Sequence, residues 1–207
     1  MKLTKKLSIT VCSLTTALVS TAVITNAYKS VAQTQPQGPE LITNGSFESD
    51  PLVDPNDATV PNPNITGWTK SEPNNPADTP GINISGIRIS NFPNFGNQGL
   101  ALNSLSGFSD LSYISQTIPT VEGQYYKLTY YFASIEEAPD VKNKFQVFIG
   151  GKKFGSDKNT DFQPYTPTTI SFKAKGESTE IKFAYKVKYA FLFLDDVSVK
   201  SVPSQGD

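Results

Sequence analysis

The chain has 207 residues, with 18 basic and 19 acidic residues, no histidine and a single cysteine, Cys12. Without histidine, and with one cysteine, it lacks the usual nucleophile and base pairs of covalent catalysis and the favoured ligands of zinc. Arg88 is its single arginine. The balance of charges argues against nucleic acid as a partner, because phosphate binding needs several basic residues on one face.

The N-terminus has the organisation of a secretory signal peptide. MKLTKK is a basic n-region, and LSITVCSLTTALVSTAVITNA is an apolar h-region diluted by Ser and Thr. We expect cleavage after Ala32, with Ala27 as an alternative, so that residues 1–32 form the signal peptide and residues 33–39 a flexible leader. The other interpretation of this stretch is a membrane anchor. No second apolar stretch follows, so we expect no stable membrane insertion after cleavage and a secreted protein, located in the extracellular space, at the cell surface or in the periplasm.

Cleavage would change both the charge and the cysteine content of the chain. It would remove Cys12 and four lysines, and leave 14 basic against 19 acidic residues. An exported chain without cysteine has no disulfide, so its fold depends on core packing, helped where needed by an ion that carboxylates bind. The remaining ~175 residues are enough for one domain with a real core.

Residues 40–200 have the sequence pattern of a β domain. Short runs rich in Val, Ile, Thr, Tyr and Phe alternate with clusters of Gly, Pro, Asn and Asp, and no helical periodicity exceeds two turns. This pattern predicts an all-β fold, an antiparallel sandwich or barrel, with a tail at 201–207. The predicted strands are 40–48, 65–68, 82–90, 99–104, 111–118, 125–134, 144–150, 168–174, 179–187 and 190–200. Segment 49–64 is the longest irregular piece, and loops of that length are often functional or ion-binding.

Strand parity separates core from surface, because alternate side chains face opposite ways. The more apolar sets should face the core, and they are Ile87, Ile89, Ile114, Ile118, Tyr126, Leu128, Tyr130, Phe132, Phe145, Val147 and Ile149. On the other side we predict an aromatic and cationic set on one exposed sheet face, formed by Arg88, Tyr113, Tyr131 and Phe148. Flat aromatic rings with polar groups around them suit a sugar ligand. The alternative is that loops 49–64 and 70–81 cover this face and make it a second small core.

Several landmarks follow one another along the chain. They are LITNGSFE, ITGW, GLALNS, YISQTIPTVEGQYYKLTYYFA, FQVFIGG, TTISFKAKGESTEIKFAY and FLDDVSV. With this series the sequence resembles galactose-binding-like jelly-roll domains, in particular secreted carbohydrate-binding modules of the family 4, 9 and 22 type and related bacterial exported or plant cell-wall proteins. The resemblance implies an antiparallel two-sheet β-sandwich whose N- and C-terminal strands lie together, non-catalytic sugar recognition, and packing for Trp68 of ITGW. It does not fix the ligand, because one fold hosts many sites.

The resemblance also implies a structural calcium ion where the first strand ends and the last strand begins to pair. Its side-chain ligands would be Glu48 of NGSFE and Asp195 of LDDV. Parity independently favours Asp195 over Asp196, because Val197 and Val199 must face the core and so put Asp195 on the inward side. Further oxygens could come from Asn44, Asp50, Asp54 or Asp57. The alternative is that Asp195 accepts backbone N–H groups at a turn with no metal.

A catalytic site in this chain would have to rest on carboxylates alone, as in glycosidases. Glu136, Glu137 and Asp140 cluster in SIEEAPDVKN, which we interpret as a solvated hairpin loop. We therefore expect no enzyme but a secreted, non-catalytic protein that binds a polysaccharide or another glycan and holds a structural calcium ion. The alternative is a structural or adhesion protein of the cell surface or extracellular matrix that binds protein partners and has no sugar site.

Overall fold

The fold was analysed in a computed structural model, which describes residues 37–53, 62, 64–71, 87–103, 111–135, 143–158, 162–187 and 191–203. These residues all belong to the compact unit Gln35–Asp207, and the unit Met1–Thr34 lies outside them. Every regular element in these ranges is a β-strand. A search of the same ranges for a helix that could cross a membrane finds none.

Within the described ranges, ten strands form two antiparallel sheets. The strands are β1 (Thr69–Lys70), β2 (Ile87–Ser90), β3 (Gly99–Leu102), β4 (Ser112–Pro119), β5 (Tyr125–Ser134), β6 (Lys144–Ile149), β7 (Lys152–Lys158), β8 (Gln163–Lys173), β9 (Ser178–Lys186) and β10 (Leu192–Val202). The first sheet has the order β1-β4-β9-β6-β7, and the second sheet has the order β2-β3-β10-β5-β8. The predicted all-β, antiparallel two-sheet sandwich is thereby confirmed. Its jelly-roll winding stays a prediction.

The core lies between the sheets and includes the side chains that parity selected. In β5 the buried set is Tyr126, Leu128, Tyr130 and Phe132. The predicted inward residues of β2, β4 and β6 are buried as well, and so is Trp68. Phe145 of β6 joins the two sheets, because its ring centroid lies 4.3 Å from that of Phe132 and 6.0 Å from that of Phe183. Each buried ring contributes roughly 1.5–3 kcal/mol, so these side chains dominate the stability of the domain.

Four parts of the predicted strand pattern differ from the structure. The predicted strand 65–68 is a turn closed by a bridge between Ile65 and Trp68, and β1 follows it. Residues 40–48 do not form a strand, because Asn44 and Phe47 adopt left-handed φ angles of 53° and 57°, which no strand residue has. Conversely, β7 was not predicted, since KKFGSDK shows no apolar alternation, yet it pairs with β6 along its length. β8 begins at Gln163 rather than at residue 168 and includes two prolines, which an edge strand tolerates.

The N-terminal segment 38–45 lies along β10. The N–H of Leu41 donates to the carbonyl of Val199 at 3.0 Å, and the N–H of Val197 donates to the carbonyl of Gly45 at 2.9 Å. The N–H of Val199 donates to the Glu40 carboxylate, also at 2.9 Å. The two ends of the domain therefore lie together, as the resemblance implies, but through a segment that is not a regular strand.

A β-bulge interrupts β10 in the middle of LDDVSV. The register with β5 shifts between Asp195 and Ser198, and Asp196 has a left-handed φ of 48°. Leu194 and Val197 are both buried in the core, although simple alternation would place them on opposite faces. Parity counted back from Val197 therefore fails at the bulge. The predicted inward orientation of Asp195 is wrong, because Asp195 is opposite Tyr131 in the register and so lies on the outer side of the second sheet.

Candidate functional site

The four residues predicted to share one exposed face lie on two different sheets. Arg88 in β2 and Tyr131 in β5 belong to the second sheet, whereas Tyr113 in β4 and Phe148 in β6 belong to the first. The outward side chains of opposite sheets point away from each other, so the prediction of a single face is wrong. Parity tells which side of its own strand a residue occupies, but not which sheet that strand joins. A role in ligand binding stays a prediction for each of the four.

On the first sheet, Tyr113 and Phe148 flank Lys182 of β9. The Lys182 ammonium lies 5.0 Å from the centroid of the Tyr113 ring, and Phe148 is directly opposite Lys182 in the register of β6 and β9. Lys182 also forms an ion pair with Glu180 at 3.0 Å. The cation lies over the face of Tyr113, so a ligand that stacked on this ring would first have to displace it.

On the second sheet, Arg88 is buried, with 4% of its surface exposed, rather than exposed as predicted. Its guanidinium carbon lies 4.0 Å from the centroid of the Phe191 ring, a cation–π contact. In the register Arg88 is opposite Ala101, which lies in a small buried cluster separate from the main core. Other side chains thus cover the outer side of this sheet, which explains why a polar residue on that side is not exposed.

That small cluster is built mainly from aromatic rings. Phe193 lies at its base with Ala101 and Ala133, and Tyr165 and Phe191 pack against them. The ring centroid of Phe92 lies 4.8 Å from that of Phe193 and 5.8 Å from that of Tyr165. Phe95 contacts Tyr131 edge to face, with the ring centroids 6.0 Å apart. We call this set the outer aromatic cluster; it consists of Phe92, Phe95, Tyr131, Tyr165, Phe191 and Phe193.

The outer aromatic cluster is part buried and part open to water. Its base is a second small core, but the loop 91–98 lies over it, and most of the loops 49–64 and 70–81 named in the alternative is outside the described residues. Two of the cluster's rings, Phe92 and Phe95, are 46% and 65% exposed. Adjacent large apolar groups left in water are typical of interaction sites. Both rings come from the loop 91–98, and the sequence analysis missed them. The signal that was available is a pair of phenylalanines in the turn-rich stretch SNFPNFGNQ.

Asp195 fixes one part of the loop 91–98. It is fully buried, and because it is opposite Tyr131 in the register, it lies on the outer side of the second sheet beneath the loop. One carboxylate oxygen accepts the N–H of Asn94 at 2.7 Å, and the other accepts the N–H of Asp196 at 2.8 Å. The Asp196 carboxylate accepts the side-chain amide of Asn94 at 2.8 Å. Both acids of LDDV therefore bind the loop.

Burial changes the acid–base chemistry around Asp195. It raises the pKa of this carboxyl to about 7; the backbone N–H groups of Asn94, Asp196 and Phe95 lower the pKa, and the Asp196 charge raises it. Burial, with the Asp195 and Asp196 charges, also raises the pKa of Tyr165 far above its usual value. The Tyr165 hydroxyl is therefore neutral and donates to the carbonyl of Phe92 at 2.8 Å, which ties the loop to β8.

Glu48 fixes the other part of the same loop. One of its carboxylate oxygens accepts the N–H groups of Asn97 and Gln98, at 2.6 Å and 2.8 Å. Gly96 has a left-handed φ of 79°, and a Cβ there would lie 2.3 Å from that oxygen, so only glycine fits the approach. The two residues predicted as calcium ligands thus both bind the loop 91–98, one from each end of the domain.

Asn44 and Asp50, two of the further oxygen donors considered, have structural partners. The side-chain amide of Asn44 donates to Asp50 at 2.9 Å, and Asp50 accepts the N–H of Thr66 at 2.8 Å. The carbonyl of Asn44 accepts the indole N–H of Trp68 at 3.1 Å. The NGSFE motif thereby holds the ITGW turn.

These contacts do not fit a calcium ion held by Glu48 and Asp195. Calcium takes six to eight oxygen ligands, but here both oxygens of Asp195 and one oxygen of Glu48 accept N–H groups. Within the part of the chain that the structure describes, no group of three or more His, Cys, Asp or Glu residues could hold a metal ion. Asp54 and Asp57 lie outside the described residues. The geometry matches the alternative of a carboxylate that accepts backbone N–H groups, and the calcium ion remains what the resemblance implies rather than what these contacts favour.

Chelation tests the calcium prediction. Because N–H groups already satisfy Glu48 and Asp195, we expect EDTA to leave the melting temperature unchanged in a thermal scan. A melting temperature that falls in EDTA and recovers with added calcium would contradict this expectation. If Asp195→Asn also abolished the fall, the ion would be located at Asp195.

Solved structures similar to the chain include carbohydrate-binding modules. The module TmCBM61, solved in complex with β-1,4-galactotriose, is 11% identical, covers 80% of this chain and 100% of its own, and gives a TM-score of 0.49. The CBM22-1 xylan-binding domain of Paenibacillus barcinonensis Xyn10C is 14% identical, with 82% and 99% covered and a TM-score of 0.47. The enzymatically active domain of bacteriophage CBA120 tailspike protein 4 is 11% identical, with 79% and 21% covered and a TM-score of 0.50. The predicted resemblance is confirmed, and at these identities it concerns the fold alone.

The sequence itself shows the family. Residues 95–199, just over half of the chain, match the family model described as protein of unknown function, DUF642. The chain belongs to the DUF642 family. The match runs from Phe95 in the loop 91–98 to Val199 in β10. Comparison with curated proteins gives no match.

Proposed function

We propose that the protein is a secreted, non-catalytic carbohydrate-binding protein, and that the outer aromatic cluster binds a polysaccharide or another glycan. The observation that carries the proposal is the exposure of Phe92 and Phe95 beside Tyr131 and Tyr165 on the outer side of the second sheet. The C–H face of a pyranose ring is apolar and packs well on a flat aromatic ring, while its hydroxyl groups need polar partners nearby.

The loop 91–98 supplies both kinds of contact. Asn91 and Asn97 are exposed on it, and their side-chain amides can donate to and accept from sugar hydroxyls. Asp195 and Glu48 accept hydrogen bonds from backbone N–H groups of this loop and so fix its backbone before any ligand binds. A rigid site loses less conformational entropy on binding, which supports recognition of a flexible polymer.

Two parts of the proposal rest on the sequence. Secretion rests on the predicted signal peptide at residues 1–32. The absence of catalysis rests on the lack of histidine and of a cysteine after residue 32. The carboxylates considered for a glycosidase, Glu136, Glu137 and Asp140, lie outside the described residues.

The proposal predicts that Phe95→Ala and Phe92→Ala each weaken glycan binding by about tenfold or more, because each removes a stacking ring from the centre of the site. A glycan array with the secreted form would identify the ligand. Affinity gel electrophoresis with that ligand would then measure each variant. Val121→Ala, which removes an equally exposed apolar side chain from the turn between β4 and β5, is the matched control and should bind like the wild type.

Tyr113→Ala distinguishes the two faces of the sandwich. Tyr113 lies on the first sheet, so the variant should bind like the wild type. Lost binding in Tyr113→Ala with retained binding in Phe95→Ala would move the site to the first sheet and contradict the proposal. A wild-type protein that binds no glycan at all would favour the alternative of a matrix or adhesion protein whose exposed rings contact protein partners.

A further inference from the structure

A separate cavity of about 220 Å³ lies at one end of the sandwich. Its walls are the turn between β6 and β7, with Gly150, and the turn between β8 and β9, from Ala174 to Ser178. The first turn joins two strands of the first sheet, and the second turn carries the chain from the second sheet to the first, so the cavity opens where the sheets separate. None of its lining residues belongs to the outer aromatic cluster.

The charge of this cavity has one sign. Three lysines line it, Lys152, Lys173 and Lys175; Glu177, the acid of the second turn, is exposed and is not among the lining residues. All three lysines are exposed, and among the described residues none of them forms an ion pair. The Lys173 ammonium lies 5.4 Å from the centroid of the Tyr125 ring, which does not line the cavity, so Lys152 and Lys175 are the cations available to a ligand without breaking a contact of that kind outside the cavity. The chain as a whole carries a net charge of -1, so this group of basic residues is not a general property of its surface. Such a site attracts an anion.

An aromatic ring lines the cavity together with the lysines. Phe154 is 38% exposed, and the Lys152 ammonium lies 5.1 Å from the centroid of its ring. Ile149 and Phe172, both buried, also line the cavity. A ligand with one flat apolar face and one negative group would match both features. The volume is below the roughly 300–1,000 Å³ of drug-sized ligand sites, which limits the ligand to a small group.

Backbone hydrogen bonds fix both turns. The N–H of Gly150 donates to the carbonyl of Glu180 at 2.8 Å. On the other side, the N–H of Ala174 donates to the carbonyl of Gln124 at 3.0 Å, and the Thr120 hydroxyl donates to the carbonyl of Gly176 at 2.8 Å. The cavity is therefore a fixed part of the fold rather than a gap between mobile side chains.

We propose that this cavity binds a negatively charged sugar residue, with its acidic group at the lysines and its ring against Phe154. The acidic group is either a carboxylate, as in a uronic acid, or a sulfate ester, since both are anions that accept hydrogen bonds from ammonium groups. The site is distinct from the outer aromatic cluster, so one chain would bind an acidic polysaccharide at a point remote from the exposed phenylalanines.

Affinity gel electrophoresis with three polymers tests this inference. We expect the wild type to bind polygalacturonate, to bind the carboxyl-reduced neutral polymer at least about tenfold more weakly, and to lose the acidic ligand as salt is raised. A sulfated galactan in parallel shows which anion binds more tightly. Replacing Lys152, Lys173 and Lys175 together by glutamine should weaken polygalacturonate binding by about tenfold or more.

The matched control replaces three lysines outside the cavity, Lys127, Lys144 and Lys200, by glutamine. It makes the same change in net charge and should leave the affinity for polygalacturonate unchanged. Phe95→Ala should also leave it unchanged, so failure of this inference and failure of the proposed function are separable. Equal losses in the two lysine variants, no binding to either anionic polymer, or equally tight binding of polyglutamate would each overturn the proposal.

Discussion

A Gly45→Ala variant is expected to unfold far more easily than the wild type, with a loss of about 3 kcal/mol or more in the free energy of unfolding. A Cβ at position 45 would lie 1.9 Å from the carbonyl oxygen of Val197 and 2.9 Å from its carbonyl carbon. These are backbone atoms of β10, which cannot rotate away. The same approach places the Gly45 carbonyl within 2.9 Å of the Val197 N–H, so moving apart would also break this hydrogen bond.

Urea unfolding of the variant and of a glycine control would measure this effect. Gly176→Ala is the control, because no atom lies within 4 Å of its built Cβ and its φ is not left-handed. We expect it to change the stability by no more than about 0.5 kcal/mol. If Gly45→Ala were as stable as Gly176→Ala, the N-terminal segment would not pack on β10 as described.

The second large effect is a pH-dependent difference in stability between the wild type and Asp195→Asn. Burial raises the pKa of Asp195 to about 7, and an unfolded chain releases this proton near a pKa of ~3.9. The folded state therefore binds the proton more tightly, and Asp195 contributes most to stability below about pH 4. This contribution declines as the pH rises to about 7, by at most ~1.4 kcal/mol per pH unit.

Asparagine at position 195 cannot ionise, so Asp195→Asn should gain stability relative to the wild type between about pH 4 and pH 7 and then keep a constant difference. Urea unfolding at a series of pH values, with EDTA throughout, measures this difference. Asp195→Ala gives the largest expected loss in the free energy of unfolding. It leaves the N–H groups of Asn94 and Asp196 without an acceptor, which costs about 1–3 kcal/mol each. If the difference in the free energy of unfolding between the wild type and Asp195→Asn did not vary with pH, the raised pKa of Asp195 would be refuted.

The parts of the fold that the sequence predicted are those that depend on local pattern. β5 has the predicted bounds and the predicted buried set, because its alternation of large apolar side chains is strong. β7 has no such alternation and follows from backbone pairing with β6 alone. The membership of a strand in one sheet or the other depends on contacts far apart in sequence, which explains why Tyr113 and Tyr131 were placed on one face.

In the candidate site, too, the sequence predicted the features that depend on local pattern and missed those that depend on distant contacts. Two adjacent acids in an apolar strand correctly marked Asp195 as buried, because a charge among apolar residues needs partners. One of its partners is the N–H of Asn94, in a loop about a hundred positions away, which no local pattern indicates. Asp196 adopts a left-handed φ at the bulge that reverses the alternation within β10, and because this residue is not a glycine the sequence does not mark the bulge.

The pairing of the segment 38–45 with β10 has a consequence for how the chain reaches this fold. The N–H of Gly38 donates to the carbonyl of Ser201 at 3.0 Å, so residues at the two extremes of the domain are hydrogen-bonded. Contacts of such large sequence separation close the longest loops and make folding slow. The edge of β10 beyond the bulge stays open to pairing with other chains until the N-terminal segment docks, and this interval is when the protein is most prone to aggregate.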